Sequence, residues 1–337
     1  MRIILIGFGS VGQSFLRLLH ERGGEVAHNF GLHPRVVAVV DRLGALTDHA
    51  QVDYQDSLSS KMSKGSVSFA EGGWRGAGAL DVIDEVRADV VVEASSTSFR
   101  DGEPALSHIK SALAGKMHVV TTNKAPLAIA MPALVELAEY NGVELRFSGT
   151  VGGGTPILGF AKSCLTGNPI RSIRGVLNGT TNYILTKMLD SGVSLKAALD
   201  EAQRLGYAET DPSNDLKGLD TACKLVILAN YIMGRRVSLR DVKVTGISGV
   251  TPEQVMEAKS EGKAIKLIGA ADSELTVEPR AIPLSHPLNV SGALNSVVFD
   301  TEFSGEITIS GKGAGGPETA GAILRDLIEI KRASFLR

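Results

Sequence analysis

An unbroken apolar strand that runs straight into a glycine turn and then a helix is the feature that most limits what this chain can fold into. Residues 2–6 read Arg-Ile-Ile-Leu-Ile, Gly7-Phe8-Gly9-Ser10-Val11-Gly12 follows, and a helical stretch opens at Val11. The G-x-G-x-x-G pattern by itself says little. Thirty-eight of the 337 residues are glycine, against about 7% in typical proteins, and the pattern recurs at Gly311-Lys312-Gly313-Ala314-Gly315-Gly316. Context separates the two. After a strand and before a helix, Gly7 permits the tight turn, Gly9 lets backbone approach a pyrophosphate, and Gly12 allows close helix–strand packing. Phe8, Ser10 and Val11 complete the loop, and the helix N–H groups and dipole hold the phosphates. The second copy also lies between a strand and a helix, but no acid-bearing strand follows it. It reads either as a glycine-lined approach to the same cofactor or as a plain turn.

A second apolar run, Val36-Val37-Ala38-Val39-Val40, ends in Asp41. An acid there would take the hydroxyls of an adenosine ribose and favour NAD, whereas the adjacent Arg42 would suit the 2′-phosphate of NADP. Asp41 lies further from the glycines than the usual ~20 residues, and the excess falls in 23–34, read as an elongated loop. Further strands are expected at 90–93, 118–121 and 144–147, with helices at 11–21, 105–114 and from about 131 to 141. Apolar strands alternating with helices predict a parallel sheet buried on both faces, a Rossmann-type doubly wound α/β fold. The polar, Gly/Ser-rich segment 43–78 reads as an irregular excursion from it. Beyond Gly149 the texture changes. A Gly-rich stretch at 152–156 leads into a long, interrupted helical region over 157–229. Strands are expected near 281–284, 296–303 and 306–309, and an amphipathic helix over 318–330.

Composition removes several functional classes. Lys+Arg number 35 against 37 Asp+Glu, a net charge of −2, far from the basic field of a nucleic-acid binder. No apolar run approaches the ~20 residues a membrane helix needs. Two cysteines, Cys164 and Cys223, cannot build a disulfide framework or a four-thiolate zinc site. The N-terminus opens a strand and lacks signal-peptide features. The expectation is a cytoplasmic protein that binds neither nucleic acid nor membrane.

Three segments concentrate polar residues where a plain core would not want them. Thr121-Thr122-Asn123-Lys124 sits at the carboxyl end of an expected strand, the edge at which α/β folds bind ligands. Residues 174–185, Arg-Gly-Val-Leu-Asn-Gly-Thr-Thr-Asn-Tyr-Ile-Leu, form either a capped helix entrance or the polar wall of a substrate site. The third segment, 206–224, carries Glu209, Asp211, Asp215, Asp220 and Lys224. Asp211 suits a helix cap with Pro212 at the first helical position. Asp220 and Lys224 are four apart and share a helix face, and Leu225-Val226-Ile227-Leu228-Ala229 follows, apolar all round, so the helix is expected to be buried. A lysine among three carboxylates in such a helix is costly unless it serves a function.

Assembled, these residues resemble homoserine dehydrogenase in its short form without a regulatory domain. The most specific stretch is 174–185, and Thr122-Asn123-Lys124-Ala125, 151–157 and 206–224 match in the family's order. The resemblance implies NAD(P)-dependent interconversion of L-aspartate 4-semialdehyde and L-homoserine. It implies a nucleotide domain over 1–147 with 314–337 returning to it, an α+β catalytic domain over 157–287, and a dimerisation region from 148–156 and 288–313, hence a homodimer. Carried over by position, Lys224 is the proton donor and acceptor at the alcohol oxygen, and Lys124 a second lysine between cofactor and substrate. Glu209 and Asp220 hold the substrate's amino end, Asp215 supports Lys224, and the amides and hydroxyls of 178–182, Asn178 and Thr180 among them, suit its carboxylate. Ser95, Ser96 and Thr122 match the nicotinamide side and Gly315 the cofactor approach from the C-terminal end. Backbone carbonyls of Ser148, Val151, Gly153 and Thr155 match a monovalent-cation site for Na+ or K+. The chemistry is consistent: reducing an aldehyde needs a hydride at carbon and a proton on oxygen, and an ammonium supplies the latter. Two alternatives stand beside this. An aspartate-semialdehyde dehydrogenase-like enzyme would need an activated cysteine, and a non-catalytic dinucleotide sensor would have no use for the two lysines.

Overall fold

The computed structural model describes residues 1–96 and 98–333. Among these residues the chain folds as two compact units, one formed by Met1–Thr150 with the chain from Gly315 onward, the other by Val151–Ala314.

In the first unit the strands are β1 (Arg2–Ile6), β2 (Arg35–Asp41), β3 (Gly44–Thr47), β4 (Gly73–Arg75), β5 (Val90–Glu93), β6 (His118–Thr121) and β7 (Leu145–Arg146). They form one sheet in the order β4-β3-β2-β1-β5-β6-β7. Strands β2, β1, β5, β6 and β7 are parallel, and the apolar side chains of β1, β2, β5 and β6 are buried as an interior parallel sheet requires. Strand order reverses between β1 and β5, so their carboxyl ends flank the crevice at which doubly wound sheets bind ligands. The unit's helices are α1 (Ser10–Phe30), α2 (Tyr54–Lys64), α3 (Ala79–Glu85), α4 (Ala105–Ala114) and α5 (Lys124–Tyr140). The C-terminal helix, Gly316–Ala333, buries Ala320, Ile323, Leu327 and Ile330 in the same core as Ile3, Leu5 and Phe15.

Two expectations for this unit are corrected. The stretch 23–34 is largely helix, because α1 continues through Gly23 and Gly24 to Phe30 and ends on Gly31 in the left-handed region. Buried Phe15, Leu19 and Val26 share one face, and that packing outweighs the roughly 1 kcal/mol each glycine costs a helix. Segment 43–78 is ordered: β3 and β4 extend the sheet as antiparallel strands, with α2 and a short 3-10 turn between them.

The second unit is α+β. A six-stranded sheet runs β13-β12-β8-β10-β11-β9, comprising β8 (Ile170–Val176), β9 (Val242–Val244), β10 (Lys263–Ala271), β11 (Leu275–Pro283), β12 (Leu294–Thr301) and β13 (Gly305–Lys312). Its helices are α6 (Ile157–Cys164), α7 (Gly179–Ser191), α8 (Leu195–Arg204), α9 (Ser213–Leu216), α10 (Leu219–Tyr231) and α11 (Pro252–Ser260). Region 157–229 is therefore not wholly helical. Strand β8, Ile-Arg-Ser-Ile-Arg-Gly-Val, lies inside the sheet, with Arg174 turned out to pair with Glu306 at 2.8 Å. Strands β12 and β13, from the segment expected to form a dimerisation region, share one sheet with β8 and β10.

Candidate active site

The glycine turn has the geometry its sequence predicts. Gly7 has φ +97°, and a Cβ there would overlap the Ala94 carbonyl and come within 2.6 Å of Ser95 N. A Cβ at Gly12 would overlap the Gly7 carbonyl, whereas nothing lies within 4 Å of one built at Gly9. Gly9 is the N-cap of α1 and makes no side-chain cap, which leaves the first-turn N–H groups available to an anion. Phe8 is buried, Ser10 exposed and Val11 half-buried.

Asp41, expected to meet a ribose, holds its own loop together. Its Oδ1 accepts Leu43 N at 3.0 Å and Ser66 Oγ at 2.8 Å; its Oδ2 accepts Lys61 Nζ at 2.8 Å and Val67 N at 3.1 Å. Burial pushes this carboxyl up, but the Lys61 ammonium and the other donors outweigh it and hold it below the ordinary range. Arg42 beside it is exposed.

Glu93, at the carboxyl end of β5, is a buried acid that sequence reasoning passed over. One oxygen accepts Ser95 N at 3.3 Å and the Ser95 hydroxyl and lies 3.4 Å from His108 Nδ1; the other accepts Asn123 Nδ2. Glu93 thus ties the loop carrying Ser95 to the cap of α5, whose first residue is Lys124. A charge ending a wholly buried Val-Val-Val strand was the available signal. Ser96 is exposed, and the Thr122 side chain packs near Gly149. Gly315 has φ +135° and leaves room for the Glu318 carboxylate.

Ser148 donates its N–H to Asp326 Oδ2 at 2.9 Å, and burial pushes Asp326 up to about 6. Val151, Gly153 and Thr155 lie on a tight turn of the second unit in which Gly152 and Gly153 have positive φ. Thr155 Oγ1 donates to the Lys312 carbonyl at 3.0 Å, and the Thr155 carbonyl accepts Ile157 N at 2.8 Å.

The second unit gathers Lys224, Asp220, Asp215 and Asn178. Lys224 on α10 is buried, with Nζ 2.6 Å from Asp220 Oδ2, and it donates to the Leu177 carbonyl at 2.6 Å. Asn178 Nδ2 donates to Asp215 Oδ1 at 2.7 Å and to Asp220 Oδ2 at 2.9 Å, while its Oδ1 caps α7 by accepting Thr181 N at 2.8 Å. Burial, followed by the charge of Asp220, raises Asp215 above the ordinary carboxylate range against the pull of Asn178 and Lys224. Thr180 Oγ1 donates to the Tyr207 carbonyl at 2.7 Å.

Glu209 stands apart, exposed on the loop before α9, its carboxylate without a partner among the described residues. The expected polar wall is only partly one. Thr181 and Asn182 are each 1% exposed, and Asn182 Nδ2 donates to the Val290 and Leu294 carbonyls at 3.1 and 2.9 Å. Lys266, also overlooked, donates to Asn182 Oδ1 and the Val290 carbonyl at 2.8 Å and to Thr186 Oγ1 at 3.1 Å. Its burial lowers it to about 8.

A doubly wound parallel sheet with an open glycine turn, and a second unit burying a lysine against aspartates, define a nicotinamide-dependent oxidoreductase. Residues 7–148 match the family described as homoserine dehydrogenase, NAD binding domain, and 156–328 match homoserine dehydrogenase. The chain is 47% identical over 332 residues to homoserine dehydrogenase of Methanocaldococcus jannaschii, covering 98% of both. It is 38% identical to the NAD(+)-dependent homoserine dehydrogenase of Pseudomonas canavaninivorans, covering 99% of this chain and 97% of that one. A hyperthermophilic archaeal homoserine dehydrogenase solved with NADPH superposes with TM-score 0.86 at 29% identity over 98% of each chain. The chain belongs to the homoserine dehydrogenase family, and its activity is that oxidoreductase's. Neither alternative gains support: Cys223 is buried within α10, and Cys164 is exposed at the end of α6.

Proposed function

We propose that Lys224 is the acid and base of the NAD(P)-linked interconversion of L-homoserine and L-aspartate 4-semialdehyde. The observation that carries this reading is an ammonium pinned at 2.6 Å both to Asp220 and to the Leu177 carbonyl. An ammonium has three N–H bonds, and with two anchored the third serves a substrate oxygen. It gives that oxygen a proton in reduction, and the neutral amine takes one back in oxidation. When bound, the nicotinamide exchanges the hydride at the adjacent carbon. Asp220 and Asp215, joined by the Asn178 amide, orient the lysine and balance its charge. Glu209, whose exposed carboxylate has no partner among the described residues, takes the substrate's α-ammonium with Asp220, and Thr180 suits its carboxylate.

Gly7, Gly9 and Gly12 at the N-terminus of α1 would hold the cofactor's phosphates, Ser95, Ser96 and Thr122 would serve its nicotinamide side, Gly315 its approach from the C-terminal end, and Lys124 would be the second lysine, between cofactor and substrate. NAD and NADP differ at the ribose beside Asp41 and Arg42. A Na+ or K+ would take backbone oxygens of Val151, Gly153 and Thr155, the donor type such hard cations prefer. The enzyme acts in the cytoplasm as a homodimer, for which the exposed edge strand β13 supplies a pairing surface; sedimentation velocity reads this as twice the 35.4 kDa chain mass. The primary test is homoserine-dependent reduction of NAD and of NADP at equal concentration. Turnover with either supports the reading, and cofactor binding without turnover by either would refute it.

A further inference from the structure

A side chain outside these groups shares an acceptor with Lys224. Asn295, in β12, is 1% exposed, and its Nδ2 donates to the Leu177 carbonyl at 3.0 Å. That same oxygen accepts Lys224 Nζ at 2.6 Å. The other end of the amide, Oδ1, is buried without a hydrogen-bond partner among the described residues. Buried polar atoms are normally paired, so an amide retained with its acceptor unmet is retained for its donor.

The surroundings are shaped around this side chain. A Cβ at Gly313 would overlap the Asn295 amide, and one at Gly311 would overlap Thr155 Oγ1. Two glycines of the second pattern, Gly311 and Gly313, thereby make room for side chains. On the preceding residue, the Leu294 carbonyl accepts Asn182 Nδ2 at 2.9 Å, and Lys266 holds Asn182 Oδ1 at 2.8 Å. The backbone carrying Asn295 is therefore anchored before the amide reaches Leu177.

We propose that Asn295 is a positioning residue for Lys224, acting through the Leu177 carbonyl that both contact. This rests on the reading of Lys224 as the proton donor and acceptor. The carbonyl has two lone pairs; with one held by the rigid amide, its direction is set, and so is one of the ammonium's two anchors. Without Asn295 the Leu177 carbonyl loses one of the two side-chain donors that direct it. The lysine then rests chiefly on Asp220, and the direction of its remaining N–H is no longer specified.

The test compares the parent enzyme with Asn295→Ala, Gly313→Ala and Lys224→Met in homoserine oxidation, with thermal midpoints for each. Gly313→Ala retains the amide but displaces it, so it reports on position even if Asn295→Ala folds poorly. Both should lower kcat roughly 10- to 100-fold, the loss expected when a reacting group shifts by about 1 Å, with little change in KM for homoserine or in cofactor affinity. Lys224→Met should abolish turnover. An unchanged kcat in either of the first two variants overturns the proposal. A loss in which KM rises in step and the midpoint falls also overturns it, since that marks a merely structural amide. Turnover retained in Lys224→Met instead overturns the reading of the lysine, and this inference with it.

Discussion

Asn178 serves two structures at once: its oxygen caps α7 and its nitrogen bridges Asp215 and Asp220. Asn178→Ala should lower stability by about 1 kcal/mol from the lost cap and lower kcat as well, because the two aspartates lose the donor between them; urea unfolding and steady-state kinetics check both. Asp326 makes a prediction of opposite sign. Its unfolded carboxyl titrates near 3.8 and its folded one near 6, so the folded state binds the proton more tightly between those values. Its contribution is therefore most favourable below about pH 4 and is lost as pH rises through 6. Asp326→Asn should be more stable than the parent at pH 8, by at most about 3 kcal/mol, and the gap should close by pH 4, as melting curves across that range would reveal.

Among the elements, α1 contains glycines of two kinds. Gly23 and Gly24 have open space around a built Cβ, so Gly24→Ala should raise stability by up to about 1 kcal/mol, seen as a higher thermal midpoint with unchanged kcat. Gly12→Ala would force its methyl into the Gly7 carbonyl, and NAD(P) binding measured by fluorescence titration should be lost. The helix itself was legible to residue 21 and obscured beyond it, because two adjacent glycines resemble a loop until Val26 is seen packed in the core. Strands β3 and β4 were obscured for another reason. They span four and three residues, too few for a period-2 pattern, and what orders the segment is Asp41 gathering Lys61, Ser66 and Val67 across it.

For the whole molecule, the two units have separate cores, with Ile3, Phe15, Val92 and Ile323 in one and Val176, Ile268, Leu288 and Val298 in the other. A ligand that binds only the folded first unit stabilises it by mass action, about 2.7 kcal/mol at a hundredfold excess over Kd. Saturating NADP or NAD should therefore raise the melting midpoint of the transition that exposes the first unit. The Gly12→Ala protein should show no such rise, and hydrogen exchange resolved by segment assigns the protected region.

The order of apolar strands, the glycine turn, the pairing of Asp220 with Lys224 and the segment 174–185 could all be read in one dimension. Each depends on neighbours a few residues apart, and local spacing specifies them. The commitment of Asp41 to its own loop, the burial of Asn182, the bracing role of Glu93 and Lys266, and the sharing of Leu177 between Lys224 and Asn295 could not. Most of their partners lie tens to more than a hundred residues away in the chain, and a hydrogen bond across that separation exists only once the sheets have brought its donor and acceptor together.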